Sequence, residues 1–296
     1  MTGEPEPAGV TPAAVVREIR DFERRHERRR RLAPRAALVG LCAGLTAAAF
    51  RLALEAAERG RTALFARLHE LPPAAGFALG VLFCALPAGA SLFLVRRFAP
   101  ETAGSGIPHL KAVLQRLRGM KWRRVVLVKF ASGTLAIGGG LTLGREGPTV
   151  QMGGALGQMV NGLLRGTARE RQTLIAAGAG AGLAAAFNAP LAGVIFVLEE
   201  LRRDFAPGAL TAGFIASVCA DIVSRLLLGQ SPVFRVASPP VPPLGSLPFF
   251  LVLGLATGLL GVLFNRSLLA SLRLFARTAR WPAGTAAALV GLLVGA

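Results

Sequence analysis

Apolar residues along this chain run in long blocks, cut by Gly, Pro and clusters of Arg, and they seldom alternate with polar residues. A helix needs about 20 apolar residues to cross roughly 30 Å of hydrocarbon. Residues 34–57 and 74–95 meet that length; the first carries Arg51 and Glu55 toward its far end, and the second stops at Arg96-Arg97. Residues 210–228 form another such block, holding Asp221 and Arg225 toward its end, and 247–275 form a long helix interrupted by Asn265-Arg266. Residues 285–296 are apolar to the last position.

The middle of the chain has a different character. The 104–114 segment is too short to span and leads into a polar stretch, 115–124. Apolar pieces follow at 125–137, 148–164, 173–187 and 189–201, divided by Gly, Pro or Asn. Pieces of about 12–17 residues are short for straight spanning helices and suit half-helices that meet inside a membrane. The pattern predicts an all-α, polytopic membrane protein with tilted spanning helices and broken half-helices.

Composition supports this reading. Of 296 residues, 53% are hydrophobic and 17% charged, against about 25% charged in an average soluble domain. The net charge of +18 comes from Arg that flank apolar blocks, with 6% aromatic residues and no Tyr. Basic flanks are what the cytoplasmic ends of spanning helices carry, so topology explains the charge without a nucleic-acid partner. Cys42, Cys84 and Cys219 lie far apart in apolar surroundings, with no metal or redox spacing. The apolar segments contain no HExxH, no GxSxG and no paired catalytic Asp, so neither an enzyme nor a cofactor is expected.

The ends divide the chain. Residues 1–14 read as a disordered tail, and 15–32 as an amphipathic helix at the interface, with Val16, Ile19 and Phe22 among charges. Residues 17–35 hold nine Arg and four acids, an excess that places the N-terminus in the cytoplasm, at a plasma (inner) membrane. The expected division is 1–32, tail and interfacial helix, and 33–296, the transmembrane domain. A last segment from Trp281 would reach only about 24 Å, so the reading expects truncation before the C-terminal third.

Three motifs carry chemistry. Gly104-Ser105-Gly106-Ile107-Pro108 opens the short segment after Pro100. Gly permits close approach or positive φ, and Pro fits a first helical turn, so a helix N-terminus with free N–H groups beside a Ser hydroxyl could bind an anion. An ordinary turn is the other reading. Gly144-Arg145-Glu146-Gly147-Pro148 follows Gly138-Gly139-Gly140 and sets a carboxylate at a helix start. Inside a membrane that charge must be held by the helix N-terminus, protonated or in water, all suited to a proton-coupled gate; a capping Glu paired with Arg145 is the alternative. Residues 178–200, GAGAGLAAAFNAPLAGVIFVLEE, combine a small-residue run, a break at Phe187-Asn188-Ala189-Pro190, and a closing Glu199-Glu200. Those acids could also be interfacial and neutralised by Arg202-Arg203.

Together the motifs resemble the CLC chloride channels and chloride/proton antiporters. GSGIP (104–108), Lys129-Phe130, GREGPTVQMGG (144–154) and AAFNAPLAGVIFVLEEL (185–201) stand in that family's order. The resemblance covers roughly 30–296 and implies the CLC inverted-repeat membrane fold. It implies an anion site at Ser105, Gly106, Ile107, Pro108, Gly147 and Pro148, with the Ser105 hydroxyl donating to the anion. Glu146 would be the gating carboxylate and Glu200 the cytoplasmic-side proton acceptor. Chloride, protons and the lipid bilayer are the implied partners, and the complete protein would be a homodimer.

The resemblance also implies departures. His109 stands where many members have Glu. The family's second repeat brings a GxFxP motif and a Tyr that reach the anion, and neither occurs here. The second repeat is therefore expected to be incomplete. A chloride/proton antiporter is the favoured reading; a passive chloride channel of the same fold and a truncated, non-transporting product are the alternatives.

Overall fold

The computed structural model describes residues 12–202, 206–230, 242–277, 281 and 285–295, with the backbone alone for 12–30. Among the described residues there are ten α-helices and no strand. They are α1 (Pro12–Leu68), α2 (Pro73–Phe98), α3 (Ile107–Leu114), α4 (Trp122–Gly138) and α5 (Glu146–Leu163), then α6 (Ala168–Phe187), α7 (Pro190–Phe196), α8 (Pro207–Leu228), α9 (Leu247–Ala276) and α10 (Thr285–Gly295). By length and composition, Arg31–Leu68, Pro73–Phe98, Pro207–Leu228 and Leu244–Ala276 can each cross a membrane.

Several boundaries differ from the sequence reading. The expected interfacial helix and first span are one helix, α1, which passes through Pro34 without a break. A proline there removes one i→i−4 hydrogen bond, a local loss that 57 residues of otherwise continuous helix absorb. α1 also runs on to Leu68 past the expected end at 57, with Arg51 and Glu55 joined by an i,i+4 ion pair at 3.0 Å. α9 continues through Asn265-Arg266, because Arg is a good helix former and one Asn costs well under about 1 kcal/mol of helical propensity. The 189–201 piece is α only to Phe196 and then opens into a π-turn, Val197–Arg202. Positions 1–11 of the expected tail lie outside the described residues.

The chain forms two compact units. The first comprises residues up to Ala49, Gly104–Val126 and Glu146–Gly229. Its helices touch backbone to backbone where glycine removes the side chain. A β-carbon on Gly153 of α5 would lie 2.2 Å from the Gly178 carbonyl oxygen of α6, and one on Gly182 would lie 2.2 Å from that of Thr149. On α1, Gly40 and Gly44 do the same against the carbonyls of Ala216 and Ala220 on α8. Close approach of this kind replaces the hydrophobic drive that lipid-facing helices lack. Leu156, Val160, Leu174, Ala177 and Ala212 lie in one buried cluster of this unit, and Leu110, Val125, Val150 and Ile175 in another.

The α5–α6 turn is fixed by polar bonds. Thr167 and Glu170 form a reciprocal capping box at the start of α6. Arg35 donates to Glu170 Oε2 at 3.0 Å and to the Leu164 carbonyl at 3.2 Å.

The second unit comprises Phe50–Ala103, Leu127–Arg145 and the residues from Gln230 on. Here Gly291 of α10 rides on the backbone of Cys84 and Ala85 in α2. Phe50 and Phe130 meet edge to face at 5.4 Å, and the buried Lys129 ammonium donates to the Thr102 carbonyl at 2.9 Å. Arg61 donates to the carbonyls of Ile137 and Gly138, satisfying the end of α4.

Candidate functional site

In the first unit, α3 and α5 begin against one another. Gly106 precedes α3 at φ +85°, a left-handed conformation that favours glycine. A β-carbon on it would fall 2.4 Å from the side chain of Gln151, on α5. Gly147, the second residue of α5, lies on Ser105: a β-carbon there would stand 2.8 Å from the Ser105 carbonyl oxygen. The Ile107 N–H donates to Ser105 Oγ at 3.4 Å. Glu146, half-buried, opens α5, and its carbonyl accepts a hydrogen bond from Thr149 Oγ1 at 2.8 Å.

Ser105, Gly106, Ile107, Pro108, Glu146, Gly147 and Pro148 therefore fall into one cluster at two helix starts. Such starts carry free N–H groups and the positive ends of helix dipoles, chemistry that suits an anion. Pro108 and Pro148 have no N–H and can only shape the turns. Gly106 and Pro148 are buried, whereas Ser105 and Pro108 are exposed.

One turn into α3, His109 is buried with Nδ1 3.2 Å from Gln151 Nε2 and Nε2 3.3 Å from the Gly119 carbonyl oxygen. With the Gln151 amide donating to Nδ1, the ring hydrogen sits on Nε2 and is donated to Gly119. His109 thus ties α3 to α5 behind the cluster. Gln151 was not singled out from the sequence; the available signal was an uncharged polar side chain in an apolar helix, which needs a partner when buried.

Glu200 lies apart from the two helix starts, yet it meets the same short helix. Its Oε1 accepts a hydrogen bond from the Lys111 ammonium, on α3 and one turn beyond Pro108. The pair lines a cavity of about 330 Å³ together with Leu114, Gln115, Gln172 and Arg202. Glu199 is exposed and lines none of it. The sequence offered Arg202-Arg203 as neutralising neighbours; the structure adds Lys111, which pairs with Glu200 across 89 residues, while Arg203 lies outside the described residues. The only sequence signal of Lys111 was its being the one charged residue of 104–114.

The break before α7 is anchored on α8. Asn188 ends α6 at φ +54°, its carbonyl accepts from Arg225 at 3.1 Å, and Arg225 is paired with Asp221 at 2.8 Å. Among the described residues no three or more His, Cys, Asp or Glu side chains converge as metal ligands would.

These features define a helical integral membrane protein with two glycine-built helix starts packed against one another. The profile of the voltage gated chloride channel family matches residues 88–296, and the chain belongs to that family. It is 43% identical over 254 residues to the H(+)/Cl(-) exchange transporter ClcA of Cronobacter sakazakii, covering 83% of this chain and 54% of the relative. With the ClcA of Vibrio vulnificus it shares 45% over 235 residues, covering 78% of this chain and 50% of that one. It resembles the crystal structure of a slow cyanobacterial Cl-/H+ antiporter with a TM-score of 0.84 and 37% identity, over 90% of this chain and 63% of that one. The chain thus spans about half the length of the curated relatives it matches.

Proposed function

We propose that this protein exchanges chloride for protons across a membrane. The observation that carries the reading is the packing of Gly147 on Ser105, which brings the start of α5, opened by Glu146, against the start of α3. In this reading the Ser105 hydroxyl and the N–H groups of Gly106, Ile107 and Gly147 hold the anion, and Pro108 and Pro148 shape the turns that present them. Ionised, Glu146 competes for the same donors; protonated, it leaves them to chloride. Glu200 takes up the proton at the other side. The relatives named as H(+)/Cl(-) exchange transporters support the exchange of chloride for protons.

The reading is of a transporter and not an enzyme, with no cofactor and no nucleic-acid partner. Its partners are chloride, protons and the lipid bilayer, and it acts as a homodimer. The Arg excess of 17–35 supports a cytoplasmic N-terminus at an inner membrane. Residues 1–32 are taken as the cytoplasmic segment and 33–296 as the membrane domain.

Flux from liposomes tests the proposal. The unmodified protein should move chloride and protons in opposite directions. Glu146→Gln should keep chloride movement and lose proton movement. Undiminished proton pumping in Glu146→Gln would remove Glu146 from the role of gate.

A further inference from the structure

The ion pair between Lys111 and Glu200 has no part in the exchange scheme as stated above, although it sits on the helix that opens the anion site. Glu200 lies on the π-turn after α7, and this turn packs against α3, α6, α7 and α8. The charged side chains on those helices include Lys111 on α3, Arg169, Glu170 and Arg171 on α6, and Asp221 and Arg225 on α8; α7 has none. Of these, Lys111 alone lines the Glu200 cavity, and Arg202 joins it from the π-turn itself. His109, the other titratable group of α3, is turned to Gln151 and Gly119. Glu170 is committed to Arg35, and Asp221 to Arg225. Gln172 donates to the Leu114 carbonyl, which fixes the polar wall of the cavity.

The two side chains are 30% and 45% exposed, so solvent and small ions reach them. While Glu200 is ionised, its carboxylate occupies the Lys111 ammonium. A proton on Glu200 removes one negative charge and leaves an ammonium facing a polar cavity of about 330 Å³, wide enough for a halide.

We infer that Lys111 is a conditional anion site, masked by Glu200 while that carboxylate is ionised and opened to chloride when Glu200 takes up a proton. The role of Glu200 rests on the exchange reading; the site itself rests on the pair and its cavity. Balance is kept at every stage, because the arriving proton cancels the carboxylate charge and the chloride restores a counter-charge to Lys111. The site stands one helical turn from Pro108, so an anion at the α3 start has an adjacent station that exists only with a proton aboard.

Chloride binding to the purified protein, measured by calorimetry at neutral pH, tests this. Glu200→Gln, fixed in the uncharged form, should bind an additional equivalent of chloride beyond the unmodified protein. Lys111→Met/Glu200→Gln should lose it, and Lys111→Arg/Glu200→Gln should keep it. Glu200→Ala serves as a second neutral variant should Glu200→Gln misfold. A purely structural pair predicts otherwise: each single substitution lowers the melting temperature, the double is no worse, and no chloride is gained. No gain in either neutral variant, or a gain that survives loss of Lys111, overturns the inference. Failure of the exchange reading looks different. Liposomes would then show chloride flux without protons in the unmodified protein, while the Lys111-dependent equivalent in Glu200→Gln would stand.

Discussion

Gly147 lies so close to Ser105 that a β-carbon on it would stand 2.8 Å from the Ser105 carbonyl oxygen and 3.1 Å from its Cβ. The atoms in the way are largely backbone, which cannot swing aside as a flexible side chain would. Gly147→Ala must therefore push the start of α5 off the Ser105 turn. Overpacking of this kind costs about 1–3 kcal/mol, and it also separates the two sets of helix-start donors. The expected result is a lower melting temperature in detergent together with weaker chloride binding. Unchanged chloride affinity in Gly147→Ala would mean that the two helix starts do not share an anion.

The two neighbouring acids should behave differently. Glu200 faces Lys111 and lines the cavity, whereas Glu199 is exposed and outside it. Glu200→Gln is expected to uncouple protons from chloride in liposome flux, and Glu199→Gln to leave coupling within about twofold of the unmodified protein, as for a surface substitution. Equal losses from both would show that the acids act as a unit.

Much of this arrangement was legible in the sequence, for identifiable reasons. Gly106 and Gly147 announce close approach because only glycine lacks the atom that would collide, and Pro108 and Pro148 announce helix starts because proline lacks an N–H. Lipid makes length informative as well, so the long spans were visible as blocks. What stayed hidden depends on partners remote in sequence. Lys111 reads as a solvated charge until α3 is laid beside the turn after α7, and Gln151 gains its meaning only when His109 arrives from another helix. The continuity of α1 through Pro34 was missed because proline marks a helix start and a tolerated interior break with the same letter. The π-turn at Val197–Arg202 has no sequence signature at all.

The clamp on the α5–α6 turn joins helices far apart in the chain. Arg35 and Glu170 are 19% and 9% exposed at their side chains, and Glu170 also holds the capping box with Thr167. Removing one member takes this ion pair from a mostly buried charge, at a cost of about 3 kcal/mol. Arg35→Met and Glu170→Gln are each expected to lower the melting temperature, and the double substitution to cost less than their sum. Strict additivity in that cycle would show that Arg35 and Glu170 do not interact in solution.

The contact between α5 and α6 supplies an internally controlled test of the fold. A β-carbon on Gly153 would lie 2.2 Å from the Gly178 carbonyl oxygen, and both residues are buried. Gly162, farther along the same helix, is exposed, with nothing within 4 Å of where its β-carbon would be. Alanine gains about 0.5–1 kcal/mol over glycine in a helix interior by limiting the freedom of the unfolded chain. Gly162 is the penultimate residue of α5, so only part of this gain should appear there. At Gly153 it is outweighed, since the methyl group must force apart two backbones whose contact continues through Gly157, Gly178 and Gly182. Separating them loses dispersion contacts along the whole interface, and lipid tails do not penalise the separation enough to restore it. Gly162→Ala should therefore leave the melting temperature unchanged or raised, and Gly153→Ala should lower it by several degrees. Similar melting temperatures for the two variants would mean that α5 and α6 are not in backbone contact.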